Sequence, residues 1–359
     1  MKKIVKKIII TGTHTTPAIE LIHQLQQDTH YNWEINYIGR CYNSSVSTQP
    51  SIESKLIPET GAKFYGIQCG KFDRRWLPNT LRGIPQIFTG FTNANSLVKK
   101  INPDIIVSFG GYVSVPVIIA AKLNHIKSIT HEQTFTTSLS TRINSIFVNK
   151  VALSFPSSKT NPKEIVTGNL LRQDIYNQKS KLFENLIQNK KRPIIYITAG
   201  NQGSKTLNDI ILSILPDLNK FTIIHQTGLT DYSKIKQFSV NQNNYHVFDY
   251  IKQSDIGWVL NNSDIIISRS GANTAQEIVS LGKKSILIPL LISQQDEQIL
   301  NAKWVDQQLP NLTEIIYQQL LTPKKILNKI RRLHKIKSKT YTNSNQINLA
   351  LLDLIHETI

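Results

Sequence analysis

Short runs of β-branched and aliphatic residues recur along the chain, separated by segments with helical spacing. Residues 3–10 read as a buried strand, and 33–38, 105–109 and 127–130 read as further strands. Between the first two, Ala18, Leu21, Ile22 and Leu25 fall on one face of a helix. Pro17 suits its first turn, where a missing N–H costs nothing. The pattern restarts after a polar stretch over 179–192. Pro193 opens a strand at 194–198, and 221–225, 245–248, 264–268 and 285–290 follow as strands. The tail is basic from Lys324 and then helical through Leu349, Leu351, Leu352 and Ile355. Strand–helix alternation of this kind predicts parallel sheets, and two successive sets predict an α/β chain of two doubly wound domains.

In such sheets ligands bind beyond the carboxyl ends of the strands, so the loops that follow strands are where chemistry is expected. The first holds Thr11, Gly12, Thr13, His14, Thr15, Thr16 and Pro17. His14 is its one titratable group, and a neutral imidazole can accept a hydroxyl proton near neutral pH. The same histidine could simply hydrogen-bond the turn. Gly110-Gly111-Tyr112-Val113-Ser114 follows another strand; its glycines allow close backbone approach or positive φ, with Ser114 the candidate helix N-cap. Thr130-His131-Glu132-Gln133-Thr134 sets one carboxylate among neutral polar groups.

In the second half, Gly200-Asn201-Gln202-Gly203-Ser204 is able to cradle a diphosphate. Ser268-Arg269-Ser270-Gly271-Ala272-Asn273-Thr274 puts small residues at a helix start, a natural diphosphate seat. Thr274-Ala275-Gln276-Glu277 also matches a capping box, so Glu277 serves either as a cap or as an acceptor for ribose hydroxyls.

Composition narrows this picture. With 359 residues, 40% hydrophobic and 18% charged, the chain is long enough for two packed cores. Cys41 and Cys69 form no disulfide framework and have no metal-ligand spacing. No run approaches the ~20 residues of a spanning helix, and the apolar start is too short for a secretory signal, so the protein is expected to stay where it is made. A net charge of +18 attracts anions such as phosphorylated substrates or anionic lipid. It would also suit nucleic acid, but no zinc finger, RNA-recognition signature or arginine-rich helix accompanies it, and no nucleic-acid partner is expected. Phe72, Arg74, Arg75, Trp76, Leu77, Leu81, Arg82, Ile84, Ile87, Phe88 and Phe91 interleave aromatics, aliphatics and arginines, a mixture that suits an anionic membrane surface. A core helix with solvated arginines has the same composition.

Taken together, the loops resemble one family. It comprises the GT-B transferases that pass N-acetylglucosamine from UDP-GlcNAc to undecaprenyl-diphospho-muramoylpeptide in peptidoglycan synthesis. The resemblance runs from Lys3 to about Ala302. It rests on His14 with Pro17-Ala18, on Gly110 to Ser114, and on His131-Glu132-Gln133. Gly168-Asn169 with Arg172, Gly200 to Gly203, Asn208, His225 to Gly228, Arg269 to Ala272 and Asn301-Ala302 extend it. It implies a GT-B fold of two Rossmann-like domains facing a central cleft. Residues 1–160 would bind acceptor and membrane, 161–335 would bind the UDP-sugar, and a helix in 336–359 would pack back on the first domain.

The same resemblance implies roles for single residues. His14 would be the base, with Tyr112 and Glu132 as further catalytic residues lining the acceptor side and Thr11, Gly12, Thr13 and Thr134 binding substrate. Ile251 would meet the uracil through its backbone. Ala272, Asn273, Thr274, Ala275 and Gln276 would hold the diphosphate and Glu277 the ribose. Arg172, Asn201, Asn208 and Arg269 would contact the nucleotide sugar, and Glu297 and Gln298 the GlcNAc hydroxyls. No metal or cofactor is implied, and the protein would be peripheral on the cytoplasmic face of the membrane.

The sequence also departs from the family. Threonines occupy a first loop that is usually glycine-rich, Thr134 replaces asparagine, Asn201 replaces serine, and Glu297 stands at a histidine or glutamine position. The stretch after Trp304 lacks a glycine-containing strand. Alternatives of other kinds are a GT-B transferase with a different lipid acceptor, a UDP-GlcNAc epimerase of related fold, and a basic binding protein without catalysis.

Overall fold

The computed structural model describes residues 3–42, 49–70, 77–156, 161–187, 192–200, 203–240, 242–290, 296–337 and 346–359, and in 77–87 and 346–348 the backbone only. The chain divides into two compact units. One comprises Met1–Arg172 with Asn345–Ile359, the other Gln173–Ser344.

The first unit runs β1 (Ile4–Thr11), α1 (Thr15–Gln26), β2 (Tyr31–Gly39), α2 (Ile52–Glu59), β3 (Lys63–Gly66), α3 (Leu77–Ile101), β4 (Ile105–Ser108), α4 (Ser114–Leu123), β5 (Lys127–Glu132), α5 (Leu139–Phe147), β6 (Lys150–Leu153) and β7 (Glu164–Val166). Its seven strands lie in the order β3-β2-β1-β4-β5-β6-β7, all parallel. The chain winds outward from β1 to β3, then α3 carries it back to β4 on the other side of β1. The order therefore reverses between β1 and β4, and the loops leaving these strands part there to leave a crevice.

Helices on both faces explain the apolar runs. Ile8 and Ile10 pack into one core with Ala18, Leu21, Ile22 and Leu25 of α1. Ile9 and Ile106 pack into the other with Ala94 and Val98 of α3 and Val117 and Ala121 of α4. Alternate residues of one strand thus serve opposite faces, as the pleat requires.

The second unit opens with a 3-10 turn, Gln173–Tyr176. It continues through α6 (Lys181–Leu186), β8 (Ile194–Thr198), α7 (Lys205–Ile214), β9 (Thr222–Gln226), α8 (Leu229–Lys236), β10 (Tyr245–Phe248), α9 (Gln253–Asn262), β11 (Ile265–Ser268), α10 (Ala272–Ser280), β12 (Lys284–Leu287), α11 (Glu297–Gln308), β13 (Thr313–Ile315) and α12 (Pro323–Lys335). The strand order is β10-β9-β8-β11-β12-β13, again parallel, with its reversal between β8 and β11. Two consecutive lysines close two helices. Lys283 Nζ donates to the Asn261 carbonyl at 2.5 Å at the end of α9, and Lys284 Nζ to the Ile336 carbonyl at 2.7 Å just past α12. Each puts a cation where a helix dipole is negative.

After the second unit the chain returns as α13 (Gln346–Thr358). Leu351, Leu352, Leu354 and Ile355 join the α1-side core of the first unit, so this helix completes a core begun more than 300 residues earlier. After Trp304 the chain forms β13, whose three residues, Thr-Glu-Ile, contain no glycine and pair with β12. No helix among the described residues is long and apolar enough to cross a membrane.

Candidate functional site

The first switch point brings three predicted loops together. Phe109 N–H donates to the Thr11 carbonyl at 2.7 Å and Thr13 N–H to the Gly110 carbonyl at 3.2 Å, stitching the β1 loop to the β4 loop. Close approach explains the glycines. A Cβ on Gly12 would lie 2.8 Å from the Gly110 carbonyl oxygen, and one on Gly111 (φ +81°) 2.2 Å from Thr13 Oγ1.

His14 immediately precedes α1, and its side chain makes no cap hydrogen bond, so it is exposed at the loop rather than spent on the turn. The protein packed around it strips part of its hydration and pushes the imidazole below its ordinary range. The Glu132 carboxylate opposes that shift and Arg40 adds to it.

Glu132 is buried and spends both oxygens on its own loop. Oε1 accepts from Thr134 N–H at 3.2 Å and lies 2.8 Å from the Thr134 hydroxyl, while Oε2 accepts from Ser138 N–H at 2.8 Å. Ser138 caps α5 and its hydroxyl lies 3.1 Å from that of Ser140, which accepts Gly111 N–H at 3.0 Å. The carboxylate thus organises two loops and bears on His14 through its charge. Beneath it, Asn144 Nδ2 donates to Ser114 Oγ at 3.0 Å and Ser108 Oγ at 3.3 Å.

Other expectations for this rim change. The Thr11 hydroxyl faces inward to the Ile38 carbonyl at 2.8 Å, so it lines no open surface. The Gly12 carbonyl accepts from Tyr37 Oη at 2.9 Å. Ser114 is not the cap of α4; that position is Val113, and the Ser114 hydroxyl turns back to the Gly111 carbonyl at 2.8 Å. Tyr112 is half-buried, and burial raises its hydroxyl pKa against the pull of Arg40, to which it is hydrogen-bonded. Arg40 is a residue the sequence reading missed. It follows β2, and its fork grips the fully buried Glu53 at 2.6 and 3.2 Å. His131 is buried with Nε2 3.0 Å from the Gly168 carbonyl, while its Nδ1 has no partner. Burial pushes its pKa down to about 4.

The second switch point is made of smaller parts. Gly203 (φ +74°) presses on the next loop so closely that a Cβ would lie 1.9 Å from the Thr227 carbonyl oxygen, whereas a Cβ on Gly200 or Gly271 would meet nothing within 4 Å. α10 begins at Ala272 with Gly271 at its cap position and no side-chain cap. The capping-box alternative therefore fails: Thr274 already lies inside the first turn and Glu277 three residues deeper in the helix, buried. The N–H groups of its first turn belong to Ala272, Asn273 and Thr274.

Arg269 is buried below this helix start, donating to the Ile288 carbonyl at 3.0 Å and Ser204 Oγ at 2.9 Å. Its Nε is buried without a partner, and burial lowers its pKa. It braces three loops rather than lying open to a sugar. Asn208 is likewise internal: Nδ2 reaches the Thr227 carbonyl at 3.1 Å and Asp231 at 2.8 Å, and Oδ1 lies 3.1 Å from His225 Nε2. Ile251 N–H is taken by Gln226 Oε1 at 3.2 Å. Gln298 Oε1 accepts Leu290 N–H at 2.9 Å, and its carbonyl accepts the Ser270 hydroxyl at 2.7 Å. Arg172 and Glu297 are half-buried. Ala275 and Gln276 are buried within α10. Asn201, Phe72, Arg74, Arg75 and Trp76 lie outside the described residues, as do the side chains of Leu77, Leu81, Arg82, Ile84 and Ile87. Phe88 is 70% exposed on α3.

Comparison with known proteins adds to this geometry. The glycosyltransferase family 28 N-terminal domain matches residues 8–153, and the family's C-terminal domain matches residues 194–359. The UDP-N-acetylglucosamine–N-acetylmuramyl-(pentapeptide) pyrophosphoryl-undecaprenol N-acetylglucosamine transferase of Clostridium tetani is 32% identical over 94% of this chain and 92% of its own. Its Clostridium novyi namesake is 33% identical over 94% and 93%. Among solved structures, Acinetobacter baumannii MurG has a TM-score of 0.72 at 22% identity, covering 98% of this chain and 99% of its own. A Neisseria meningitidis UDP-GlcNAc 2-epimerase has 0.65 at 15% identity, covering 98% and 99%.

Proposed function

Since this chain belongs to glycosyltransferase family 28, we propose that its first rim takes the acceptor and its second the donor of one transfer reaction. The enzyme is a UDP-GlcNAc-dependent N-acetylglucosaminyltransferase of peptidoglycan synthesis. It passes GlcNAc to the muramoyl 4-hydroxyl of undecaprenyl-diphospho-muramoylpeptide, the reaction in the names of relatives 32–33% identical to it.

His14 is the base. With its pKa held below the ordinary value it is neutral at neutral pH and accepts the proton of the attacking hydroxyl. That oxygen bonds to the anomeric carbon as the carbon–oxygen bond to UDP breaks, so the centre inverts and the electron pair leaves on the diphosphate. The first-turn N–H groups of α10, from Ala272, Asn273 and Thr274, stabilise that developing charge. Ala275 and Gln276 shape the same turn from within, and Arg269 keeps it in place. Glu277 takes the ribose hydroxyls and the Ile251 carbonyl takes the uracil. Arg172 and Asn201 reach the nucleotide sugar, and Glu297 reaches the GlcNAc hydroxyls. Thr13, Thr134 and Tyr112 line the acceptor. The strongest support is the position of His14, exposed at a switch point and uncommitted to its own turn.

The acceptor carries a lipid, so the enzyme works as a peripheral protein at the cytoplasmic face of an anionic membrane. Exposed Phe88 and the +18 net charge support this. The test is UDP release from UDP-GlcNAc on adding a short-chain lipid I analogue, with a diacylglycerol as control. Turnover only with the muramoyl lipid is expected; a folded enzyme that ignores every muramoyl acceptor refutes the reading.

A further inference from the structure

A second cluster lies where the first sheet's strands begin, at the turn between α1 and β2. Asp28 is buried there between two imidazoles. His30 Nδ1 lies 3.4 Å from Oδ1, and His356 Nε2, arriving on α13, lies 2.8 Å from Oδ2. The three ligand atoms fall within 4.8 Å of one another.

The surroundings resemble those of a metal carboxylate more than those of a simple ion pair. Trp33 Nε1 donates to Oδ2 at 2.6 Å and His30 N–H to Oδ1 at 2.9 Å, which fixes the orientation of the carboxylate as outer partners do around metals. Tyr31 packs edge-on against both Trp33 and His356, at 5.6 and 5.4 Å between ring centres, and walls the cluster. The nearby cation, Lys3, directs its ammonium to the Asp28 carbonyl at 2.7 Å rather than to the carboxylate.

We infer that Asp28, His30 and His356 bind one divalent transition-metal ion of zinc-like preference, with water completing the shell. Two neutral imidazoles and one carboxylate form a donor set such ions favour. A tetrahedral ion with bonds of about 2.0–2.1 Å needs donor atoms roughly 3.3 Å apart. The His30 Nδ1–Oδ1 pair, at 3.4 Å, is already at that spacing, while His356 Nε2 lies 2.8 Å from the other carboxylate oxygen and has to draw back slightly to admit the ion. The His30 side chain, 69% exposed, is the one free to swing in and also opens the route of entry. The bound ion cross-links the α1–β2 turn to α13, two segments 328 residues apart.

The experiment uses the untagged full chain stripped with EDTA and titrated with zinc chloride by calorimetry and thermal melting, then with cobalt(II) by visible absorption. One ion per chain, a raised melting temperature and a ligand-field band are expected. His30→Ala should weaken zinc binding by about tenfold or more and abolish the band, while the metal-free melting temperature holds because that side chain is exposed. His30→Ala/His356→Ala should lose the site altogether. Zinc binding of unchanged stoichiometry and affinity in the double variant, or no zinc response in the parent, overturns the assignment.

Discussion

The loops at the two switch points share a position in the sheet but not a composition. Around the first, the described residues include His14, Glu132, Tyr112 and Arg40, each coupled to another by charge or hydrogen bond. Around the second, small residues meet a bare helix start, and the polar side chains Arg269 and Asn208 are turned inward to brace loops. One fold plan thus carries a rim with an exposed imidazole, suited to the proposed proton transfer, and a rim of small residues at a helix start, suited to the proposed diphosphate. What separates them is that the first keeps one titratable side chain uncommitted while the second turns its polar side chains inward.

The sharpest way to break that comparison is His14→Ala. Turnover should fall by about 10²–10⁴-fold while UDP affinity by calorimetry stays unchanged. Loss of both together would make His14 part of the nucleotide seat. With the native enzyme, the proposed base role places the acidic limb of the rate profile below the ordinary histidine value, because a base at His14 acts only once deprotonated.

Beneath the rims the two units should behave alike. His131 and His225 are buried neutral, with pKa values pushed down to about 4 and about 3. Their unfolded counterparts titrate near 6.5, so below that pH the unfolded chain binds more protons and stability falls until the folded values are reached. Each histidine should cost on the order of 3 kcal/mol across that window. Urea unfolding at pH 7 and pH 4.5 reads the loss; equal stability at both would show that neither burial is maintained.

Smaller changes refine the division. Glu277→Ala should raise the donor KM about tenfold, roughly 1.4 kcal/mol, and leave kcat nearly unchanged; a fall in kcat alone would move Glu277 into the chemistry. Ser140→Ala removes the acceptor of Gly111 N–H and should cost about 1 kcal/mol of stability. Differential scanning calorimetry should place that loss in the first unit; a loss in the second would sever the serine from the loop it is argued to hold.

The central strands were legible because they are buried on both faces and read as mostly apolar runs; residues 194–198 match β8 end to end. Residues 245–248 match β10, an edge strand whose alternating burial still shows in its sequence. The strands missed, β3, β6, β7 and β13, have three or four residues, and all but β6 lie at sheet edges. There one polar residue erases the signal.

The site divides in the same way. His14, Tyr112 and the glycine loops stand out because they directly follow strands. Arg40, Ser140 and Asn144 do not, because their partners lie 13 to 36 residues away and only the folded chain brings them together. Asn208 and Gln298 were noticed as polar, yet local sequence carries no sign of whether an amide faces ligand or scaffold.

The return of α13 has a consequence for biogenesis. A ribosome that has just released β7 has delivered every strand of the first sheet, but Leu351, Leu354 and Ile355 are still to be synthesised. The nascent first unit must wait with an unfilled groove along α1 while the whole second unit emerges and folds. A chain clipped just before this helix would therefore keep its later-made half intact and lose its earlier-made one.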